Sequence, residues 1–384
     1  MEKGIRNEFM TGITGHNIFC GLGFGSDEVY SRIRAGESDL GLHDGGFALP
    51  EPFYASLVQR DEIERRFAGL PDTCQMTAFE KAMVLSAADA VAMSGIDPSA
   101  EDTLFVLSST KGNVELLESG MERPDGRMSI WSSARRLASF FGNPNEPVCV
   151  SNACTSGICA QIAAFRAISS GKFRNAVVVG ADFLSRFVVS GFQSLKALSS
   201  ERCRPFDLHR KGLNLSEAVA SIVLSSDTAG IGISLEGGAI RNDATHISAP
   251  SRTASGQIAA INAVLEGKPG FDLAFVNLHG TATLYNDSME SVALHTCGLD
   301  TLPAVSYKSI FGHTLGAAGV VETIVSALSM LEGVVFPTPG YGENGVPYEL
   351  SLSDRFRKIS GTGFLKVMSG FGGVNAATLY KLIR

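Results

Sequence analysis

Short runs of consecutive apolar residues recur along the chain, and helix-length segments separate several of them. A continuous apolar run of roughly four to eight residues is typical of a strand buried on both faces of a sheet. The runs that predict strands are 103–107, 147–150, 176–179, 220–224, 273–277, 304–306 and 363–368. Helical spacing of apolar residues is found in 75–93, 161–169 and 320–331. Strands that alternate with helices predict an α/β protein.

A weak internal repeat divides the chain into two similar parts. DTLFVLSST resembles FDLAFVNLHGTAT, NAVVVGADF resembles GFLKVMSGFGG, and ASIVLSSD resembles AATLYKLI. The longest pair is EPVCVSNACTSGICAQIAAFRAISSG and LPAVSYKSIFGHTLGAAGVVETIVSALSMLEG, each a strand, a polar motif and a small-residue-rich helix. The repeat predicts two halves, 1–226 and 227–384, that pack as one body. The alternative architecture is a plain doubly wound sheet with a small second domain.

Length and composition exclude several classes of protein. The chain has 384 residues, more than the ~250–300 at which a single core stops growing. Hydrophobic residues make up 45% and charged residues 18%, which argues against a disordered or coiled-coil chain. The net charge of −7 argues against a general nucleic-acid binder, yet it allows a local basic patch for an acidic partner.

Membrane insertion and secretion are not indicated. No apolar run approaches the ~20 residues of a membrane span, and the opening MEKGIRNEFM is charged and lacks an apolar segment. Seven cysteines, without a CxxC pair, indicate reduced thiols. We therefore expect a cytoplasmic protein that binds neither membrane nor nucleic acid.

One cysteine lies where a nucleophile would be expected. In SNACTSGICAQIAAF a strand leads into a tight polar turn, and a helix is predicted to begin at about Cys154. Free N–H groups at a helix N-terminus favour the thiolate and lower the pKa of the thiol. A buried inert cysteine is an equally good interpretation of Cys154 in isolation. The cysteines that we predict to be inert are Cys20, Cys74, Cys149, Cys159, Cys203 and Cys297.

Two histidines lie in corresponding places of the repeat. His279 ends an apolar strand in VNLHGTAT, and His313 stands before a helix in KSIFGHTLGAAG. Imidazoles in such places are suited to acid–base or hydrogen-bonding work. Lys308 and Glu322 flank His313 and predict an ion pair, catalytic or merely structural. The glycine-rich turn 370–373 follows a strand, and a backbone N–H there can complete an oxyanion hole.

These motifs, in this order, resemble the β-ketoacyl-acyl-carrier-protein synthases, the Cys-His-His condensing enzymes of the thiolase superfamily. The matching stretches are NACTSG, RCRPFD, VNLHGTATLYNDSMES, YKSIFGHTLGAAGVVE and GFGGVNA. The correspondence covers most of the chain, from about Gly21 to Leu382.

The resemblance implies a thiolase-like fold, in which two βαβαβαββ halves form a five-layer α-β-α-β-α sandwich. It implies decarboxylative Claisen condensation of an acyl thioester with malonyl-carrier protein, in fatty-acid or polyene and polyketide synthesis. The implied partners are acyl carrier protein and a second subunit, as a homodimer or as a heterodimer with a homologue. No metal and no cofactor is implied, and GLGFG at 21–25 follows no clear strand, which argues against a dinucleotide site.

The resemblance also assigns roles to individual residues. The catalytic set is Cys154, His279, His313, Lys308 and Glu322. For the oxyanion hole and the pocket gate the candidates are Gly370, Phe371 and Gly372, and for substrate contact they are Thr281, Thr283 and Ser369. The candidates for carrier-protein docking are Arg202 and Arg204, and weaker docking candidates are Arg60, Arg65 and Arg66.

Several departures from the family pattern suggest a specialised acyl pocket. Ser369 stands where the family often has phenylalanine, Ala282 replaces a glycine, and 216–218 read Ser-Glu-Ala instead of Gly-Glu-Gly. The N-terminus also looks short and without the usual opening strand. The alternative function is a non-catalytic chain-length-factor subunit, but such subunits lack the nucleophile that Cys154 provides.

Overall fold

The computed structural model describes residues 10–71, 75–118, 126–227 and 232–383, so Cys74 and most of the charged N-terminal segment lie outside it. Its strands are β1 (Thr11–Cys20), β2 (Gly23–Phe24), β3 (Gly41–His43), β4 (Phe53–Ser56), β5 (Thr103–Ser108), β6 (Val148–Val150), β7 (Asn175–Asp182), β8 (Leu215–Ser216), β9 (Ala218–Ser225), β10 (Ile233–Asn242), β11 (Leu273–Asn277), β12 (Ala304–Val305), β13 (Val334–Val335), β14 (Arg357–Lys358), β15 (Gly363–Gly370) and β16 (Val374–Leu382). Its α-helices are α1 (Ser26–Arg34), α2 (Arg60–Phe67), α3 (Ala78–Ser94), α4 (Ile130–Phe140), α5 (Ser156–Ser169), α6 (Arg186–Ser194), α7 (Ser255–Leu265), α8 (Leu284–Thr296), α9 (Lys308–Phe311) and α10 (Ala318–Glu332).

Two half-sheets have the same strand order. The first runs β6-β5-β7-β9-β1 and the second β12-β11-β15-β16-β10. If the five main strands of each half are numbered 1 to 5 in sequence order, their spatial order in both half-sheets is 3-2-4-5-1. A short antiparallel pairing of β1 with β10 joins the two half-sheets. The predicted pair of similar halves is confirmed, and the division after residue 226 stays a prediction.

The helices arrange these half-sheets into five layers. Helices α5 and α10 pack against each other and contact strands of both half-sheets. Helices α3 and α4 cover the outer face of the first half-sheet, and α7 and α8 cover the outer face of the second. The predicted α-β-α-β-α arrangement is therefore present, and its central helix layer lies directly behind the candidate catalytic residues.

The expectation that the opening strand is missing is wrong. β1 is a ten-residue strand between β9 and β10, and its polar residues hide it from a search for apolar runs. Asn17 is buried in β1 and donates a hydrogen bond from Nδ2 to Asp89 Oδ2 at 2.6 Å. The GLGFG segment therefore does follow a strand, contrary to the sequence-based interpretation.

Among the described residues, one helical stretch, Leu315–Glu332, is long and apolar enough to cross a membrane when only its length and composition are considered. Of its 18-residue window, 83% is buried, because α10 belongs to the central layer between the half-sheets. Burial in the core explains the composition of this stretch.

Candidate active site

Cys154 lies in a rigid turn between β6 and α5. Ala153 has a φ of 48°, in the left-handed region, and side chains close the turn around it. Ser156 Oγ accepts from Asn152 N at 2.8 Å and donates to Ala153 O at 2.6 Å. Thr155 Oγ1 donates to Asn152 O at 2.7 Å. Helix α5 begins at Ser156, so the cysteine precedes the helix rather than opening it.

Burial controls the protonation of Cys154. It raises the pKa of the thiol to about 11, and the ammonium groups of Lys308 and Lys111 only partly oppose this effect. The expectation of a lowered thiol pKa is therefore wrong, because the cost of desolvating a thiolate exceeds the stabilisation by nearby cations. With a pKa of about 11, Cys154 is a thiol at neutral pH, so it has to lose its proton before or while it acts as a nucleophile.

The fold brings the cysteine and both candidate histidines together. His279 follows β11 and His313 follows α9, and both side chains are buried. The imidazole rings meet edge to face with their centroids 5.1 Å apart. Cys154 Sγ and a ring nitrogen of each histidine all lie within 4.8 Å of one another. The two halves thus contribute to one site.

Both histidines are held as neutral hydrogen-bond donors. His313 Nδ1 accepts from Leu315 N at 3.1 Å, so the proton of this ring is assigned to Nε2, which has no partner among the described residues. Lys308 Nζ lies 3.5 Å from His279 Nδ1, which assigns the His279 proton to Nε2 as well. Burial, together with the charge of Lys308, lowers the pKa of both imidazoles well below the usual value.

Glu322 links two buried lysines behind the histidines. Its Oε1 accepts from Lys308 Nζ, as the sequence predicted, and its Oε2 accepts from Lys366 Nζ. Lys366 also donates to Leu278 O at 3.2 Å. Sequence reasoning missed Lys366, although a single lysine within the apolar run 363–368 is an unusual feature of a buried strand.

Glu290 fixes the backbone at the first histidine. Its two carboxylate oxygens accept from His279 N and Gly280 N, each at 2.7 Å. Burial raises the pKa of Glu290 to about 7, and the nearby Asp287 acts in the same direction. The sequence analysis did not identify Glu290 either. The feature that could have indicated it is an acidic residue among the positions that α8 buries.

The three donor atoms of Cys154, His279 and His313 are near enough to bind a metal ion. The adjacent ammonium groups of Lys308 and Lys366 oppose a cation at that place. The two neutral imidazole donors, rather than a net positive charge, suit the site to stabilising negative charge.

The glycine-rich turn between β15 and β16 packs against the cysteine turn. A Cβ atom at Gly370 would lie 3.3 Å from Cys154 N, so this position has little room for a side chain. Gly372 has a φ of 88° and donates from its N–H to Ile247 O at 2.7 Å. Phe371 is 38% exposed and stacks on Phe192 with 6.0 Å between centroids, which places it at the rim of the cavity.

Ser369 lies on the cavity wall, but its hydroxyl is already engaged. Its Oγ donates to Asn375 Oδ1 at 2.8 Å and accepts from Gln257 Nε2 at 3.4 Å. Thr281 and Thr283 form another part of the wall, with their hydroxyl oxygens 2.9 Å apart. Because Asn375 and Gln257 hydrogen-bond to the Ser369 hydroxyl, Ser369 can contact a substrate only as part of the cavity wall.

A cavity of about 310 Å³ contains the cysteine, both histidines, both threonines, Ser369, Gly370 and Phe371 in its wall. Lys196, Arg210 and Lys211 also line it, although the sequence did not single them out. Arg202 and Arg204 instead line a separate exposed cleft.

The weaker docking candidates are held by acidic neighbours. Arg60 forms an ion pair with the buried Glu217 at 2.7 Å, and Arg65 and Arg66 each form an ion pair with Glu62. The Arg60 pair joins α2 to Glu217, the residue between β8 and β9, so Arg60 has a structural role within the chain.

Comparisons with known proteins agree with this geometry. The model of the β-ketoacyl synthase N-terminal domain matches residues 13–229, and that of the C-terminal domain matches residues 233–341. The 3-oxoacyl-[acyl-carrier-protein] synthase 2 of Vibrio cholerae is 28% identical over 412 residues, which cover 96% of this chain and 98% of that protein.

Solved structures show the same fold. A β-ketoacyl synthase from Burkholderia phymatum has a TM-score of 0.88 and 26% identity, covering 98% of this chain and 100% of the other. A ketosynthase in complex with its chain length factor, from Xenorhabdus doucetiae, has a TM-score of 0.87 and 23% identity, with all of both chains covered. The chain belongs to the β-ketoacyl synthase family of condensing enzymes, an acyltransferase class, as its motifs predicted.

Proposed function

We propose that this chain elongates an acyl group by two carbons through an acyl-Cys154 intermediate. Cys154 Sγ attacks the acyl thioester of a carrier protein, and the departing pantetheine sulfur takes the cysteine proton. A malonyl thioester then loses CO₂, and the electron pair of the broken C–C bond forms an enolate. The enolate carbon attacks the acyl-Cys154 carbonyl, and the cysteine sulfur leaves and is protonated again.

The observation that carries this proposal is the arrangement of the thiol and the two imidazoles. All three reactive groups lie within 4.8 Å of one another. Two neutral imidazoles this close to the thiol are suited to stabilising an enolate beside the acylated sulfur. Covalent capture on Cys154 also holds the acyl group in place for the second substrate.

The other candidate residues have supporting roles in this proposal. The backbone N–H groups of Cys154 and Phe371 hold the thioester oxyanion, and the Phe371 ring gates the cavity. Lys308 and Glu322 orient His279. Gly370 and Gly372 shape the gating turn, and Thr281, Thr283 and Ser369 contact the substrate.

An acyl carrier protein is the proposed macromolecular substrate, because the Vibrio cholerae relative is named for one. Arg202 and Arg204 are exposed and offer a local basic surface on a chain of net charge −7. Local complementarity is sufficient to steer an acidic partner. We propose that such a carrier docks there, and that the protein acts in the cytoplasm.

A dimer is the proposed assembly. β6 ends the strand order of the first half-sheet, and Val148 and Cys149 on it are exposed. An unpaired edge strand tends to pair with another chain. A second copy, or a homologous chain-length-factor subunit, would pair at this edge. Sedimentation velocity distinguishes monomer from dimer, and intact-mass measurement of the co-purified chains distinguishes homodimer from heterodimer.

The proposed activity is tested with an acyl-carrier protein and ¹³C-labelled malonyl-carrier protein. We expect acyl-Cys154 by intact-protein mass spectrometry, labelled CO₂, and a β-ketoacyl product two carbons longer. Cys154→Ala, the matched control, should yield no product. A wild-type chain that forms no acyl-enzyme but binds a homologous ketosynthase would support the chain-length-factor alternative instead.

A further inference from the structure

We propose that Lys366 is a positioning residue for the decarboxylation step: its ammonium group cancels negative charge behind His279 and His313 and so favours the enolate that they stabilise. This inference rests on the proposed condensing activity. Lys366 does not line the cavity, so it cannot contact the substrate directly. The inferred role is therefore electrostatic and is exerted through the groups that Lys366 contacts.

Lys366 belongs to the interior of the molecule. It lies in the middle of β15, opposite Asn277 of β11 and Thr378 of β16, and its side chain is fully buried. Its Nζ donates to Glu322 Oε2 and to Leu278 O, the residue immediately before His279. Lys366 therefore contacts both the carboxylate and the backbone segment that hold the first histidine.

The balance of charge around the histidines depends on this lysine. Lys308 contributes one positive charge, and Glu322 and Glu290 contribute two negative charges when both are ionised. Without Lys366 the group would be net negative and would oppose an anion at the two Nε2 atoms. With Lys366 these four groups are neutral when both glutamates are ionised, and the buried Asp287 beside Glu290 is faced by its own cation, Arg210, at 3.9 Å. The histidine donors then act without that opposition.

A simple ion pair does not require a second lysine. Lys308 already pairs with Glu322, and buried lysines are rare unless a partner or a function holds them there. Two lysines on one carboxylate, next to a second buried carboxylate, are therefore better explained by the anion that the site has to hold.

The protonation of Lys366 supports this interpretation. Burial lowers the pKa of Lys366 to about 8; the charges of Glu322 and Glu290 favour its ammonium form, and Lys308 opposes it. Since the lysine loses its charge as pH rises through about 8, wild-type CO₂ release should decline over that range. Acylation of Cys154 should not decline with it.

The test uses Lys366→Met, which keeps the length of the side chain and removes its charge. Single-turnover CO₂ release from malonyl-carrier protein should fall about tenfold, equivalent to about 1.4 kcal/mol. Acylation of Cys154 should stay within about twofold of wild type, and the decline of CO₂ release near pH 8 should disappear. Thr378→Val, at the facing position of β16, is the matched control and should leave both rates unchanged.

The double variant Lys366→Met with Glu290→Gln separates charge from a purely structural role. Glu290→Gln alone measures the cost of disturbing the hydrogen bonds from His279 N and Gly280 N, and adding Lys366→Met to it should lower CO₂ release by less than about twofold because the group is then neutral rather than net negative. A tenfold loss on adding Lys366→Met to Glu290→Gln, or equal losses of acylation and CO₂ release in Lys366→Met, would overturn the inference.

Two further outcomes separate this inference from the proposed function. A wild-type chain without CO₂ release would refute the proposed function itself, whereas normal CO₂ release from Lys366→Met would refute only the role of Lys366. If Lys366→Met does not fold, the wild-type pH profile decides, and CO₂ release that stays constant from pH 7 to pH 9 counts against the inference.

Discussion

The two halves of the molecule have the same strand order but place different reactive side chains in the cavity. In the first half, the connection from β6 to α5 is a tight turn that holds Cys154. In the second half, the equivalent connection from β12 to α10 contains the extra helix α9, and it supplies both Lys308 and His313. Because both half-sheets have the same strand order, the two connections meet at one cavity.

The difference suggests how a duplicated fold can divide the proposed two-step reaction. In that proposal the first half provides the nucleophilic sulfur of Cys154, in a turn that contains no lysine. The second half provides neutral donors and the buried group of Lys308, Lys366, Glu322 and Glu290. Asp182 of the first half accepts from Gly316 N of the second at 2.6 Å, so the halves are also joined by a buried carboxylate.

Removing the nucleophile should have the largest effect on activity. Cys154→Ala should lower acyl-enzyme formation at least ~10³-fold, since loss of a nucleophile removes the covalent route. Intact-protein mass spectrometry measures the acylated fraction. Cys159→Ala, which changes a buried cysteine in the first turn of α5, should retain acylation. Acylation of the Cys154→Ala chain at the parent rate would assign the nucleophile elsewhere.

Weakening the junction between the halves should cost stability. Asp182 also accepts from Thr110 N at 3.0 Å and pairs with Lys111 at 3.1 Å, and removing the charge from a buried network typically costs about 3 kcal/mol. Asp182→Asn should lower the urea midpoint accordingly. Asp89→Asn is the control with a small expected effect, because burial raises the pKa of Asp89, which means that its charge is unfavourable in the folded chain. Equal midpoints for the two variants would show that Asp182 does not stabilise the junction.

Acyl selection should depend on Ser369, which lies in the second half. Ser369→Phe adds a ring to the cavity wall and breaks the hydrogen bond to Asn375, so the kcat/KM ratio between unsaturated and saturated donors should shift about tenfold. Ser369→Ala breaks the same bond without adding volume and separates the two causes. A ratio that moves less than about twofold in Ser369→Phe, with Cys154 acylation intact, excludes Ser369 as a determinant.

Carrier docking should give the smallest change. Arg204→Glu should raise KM for acyl-carrier protein several-fold, by roughly 1 kcal/mol of local electrostatic attraction, and leave small thioester mimics unaffected. Arg174→Glu is the charge-matched control, because Arg174 is an exposed arginine immediately before the first residue of β7. Similar losses with both kinds of donor would indicate that Arg204 acts in folding.

Apolar runs and motif order predicted most of the fold and the residues at its centre. The strands 103–107 and 273–277 agree with β5 and β11 to within one residue, because strands buried on both faces are apolar throughout. β1 was missed because its polar residues interrupt that pattern. The thiol pKa, Lys366 and Glu290 depend on burial and on contacts between distant segments, which one-dimensional spacing does not contain.

The division of labour between the halves is tested most directly by one single-turnover experiment on two variants. Acyl-Cys154 and CO₂ are quantified in the same reaction for Cys154→Ala and for a double variant, His279→Ala with His313→Ala. We predict that Cys154→Ala loses the acyl-enzyme and still releases CO₂ from malonyl-carrier protein. The histidine variant should keep acylation and lose CO₂ release by at least ~10²–10³-fold, the usual cost of removing a single oxyanion donor. CO₂ release at the parent rate from the histidine variant, or the same deficit in both variants, would contradict the account.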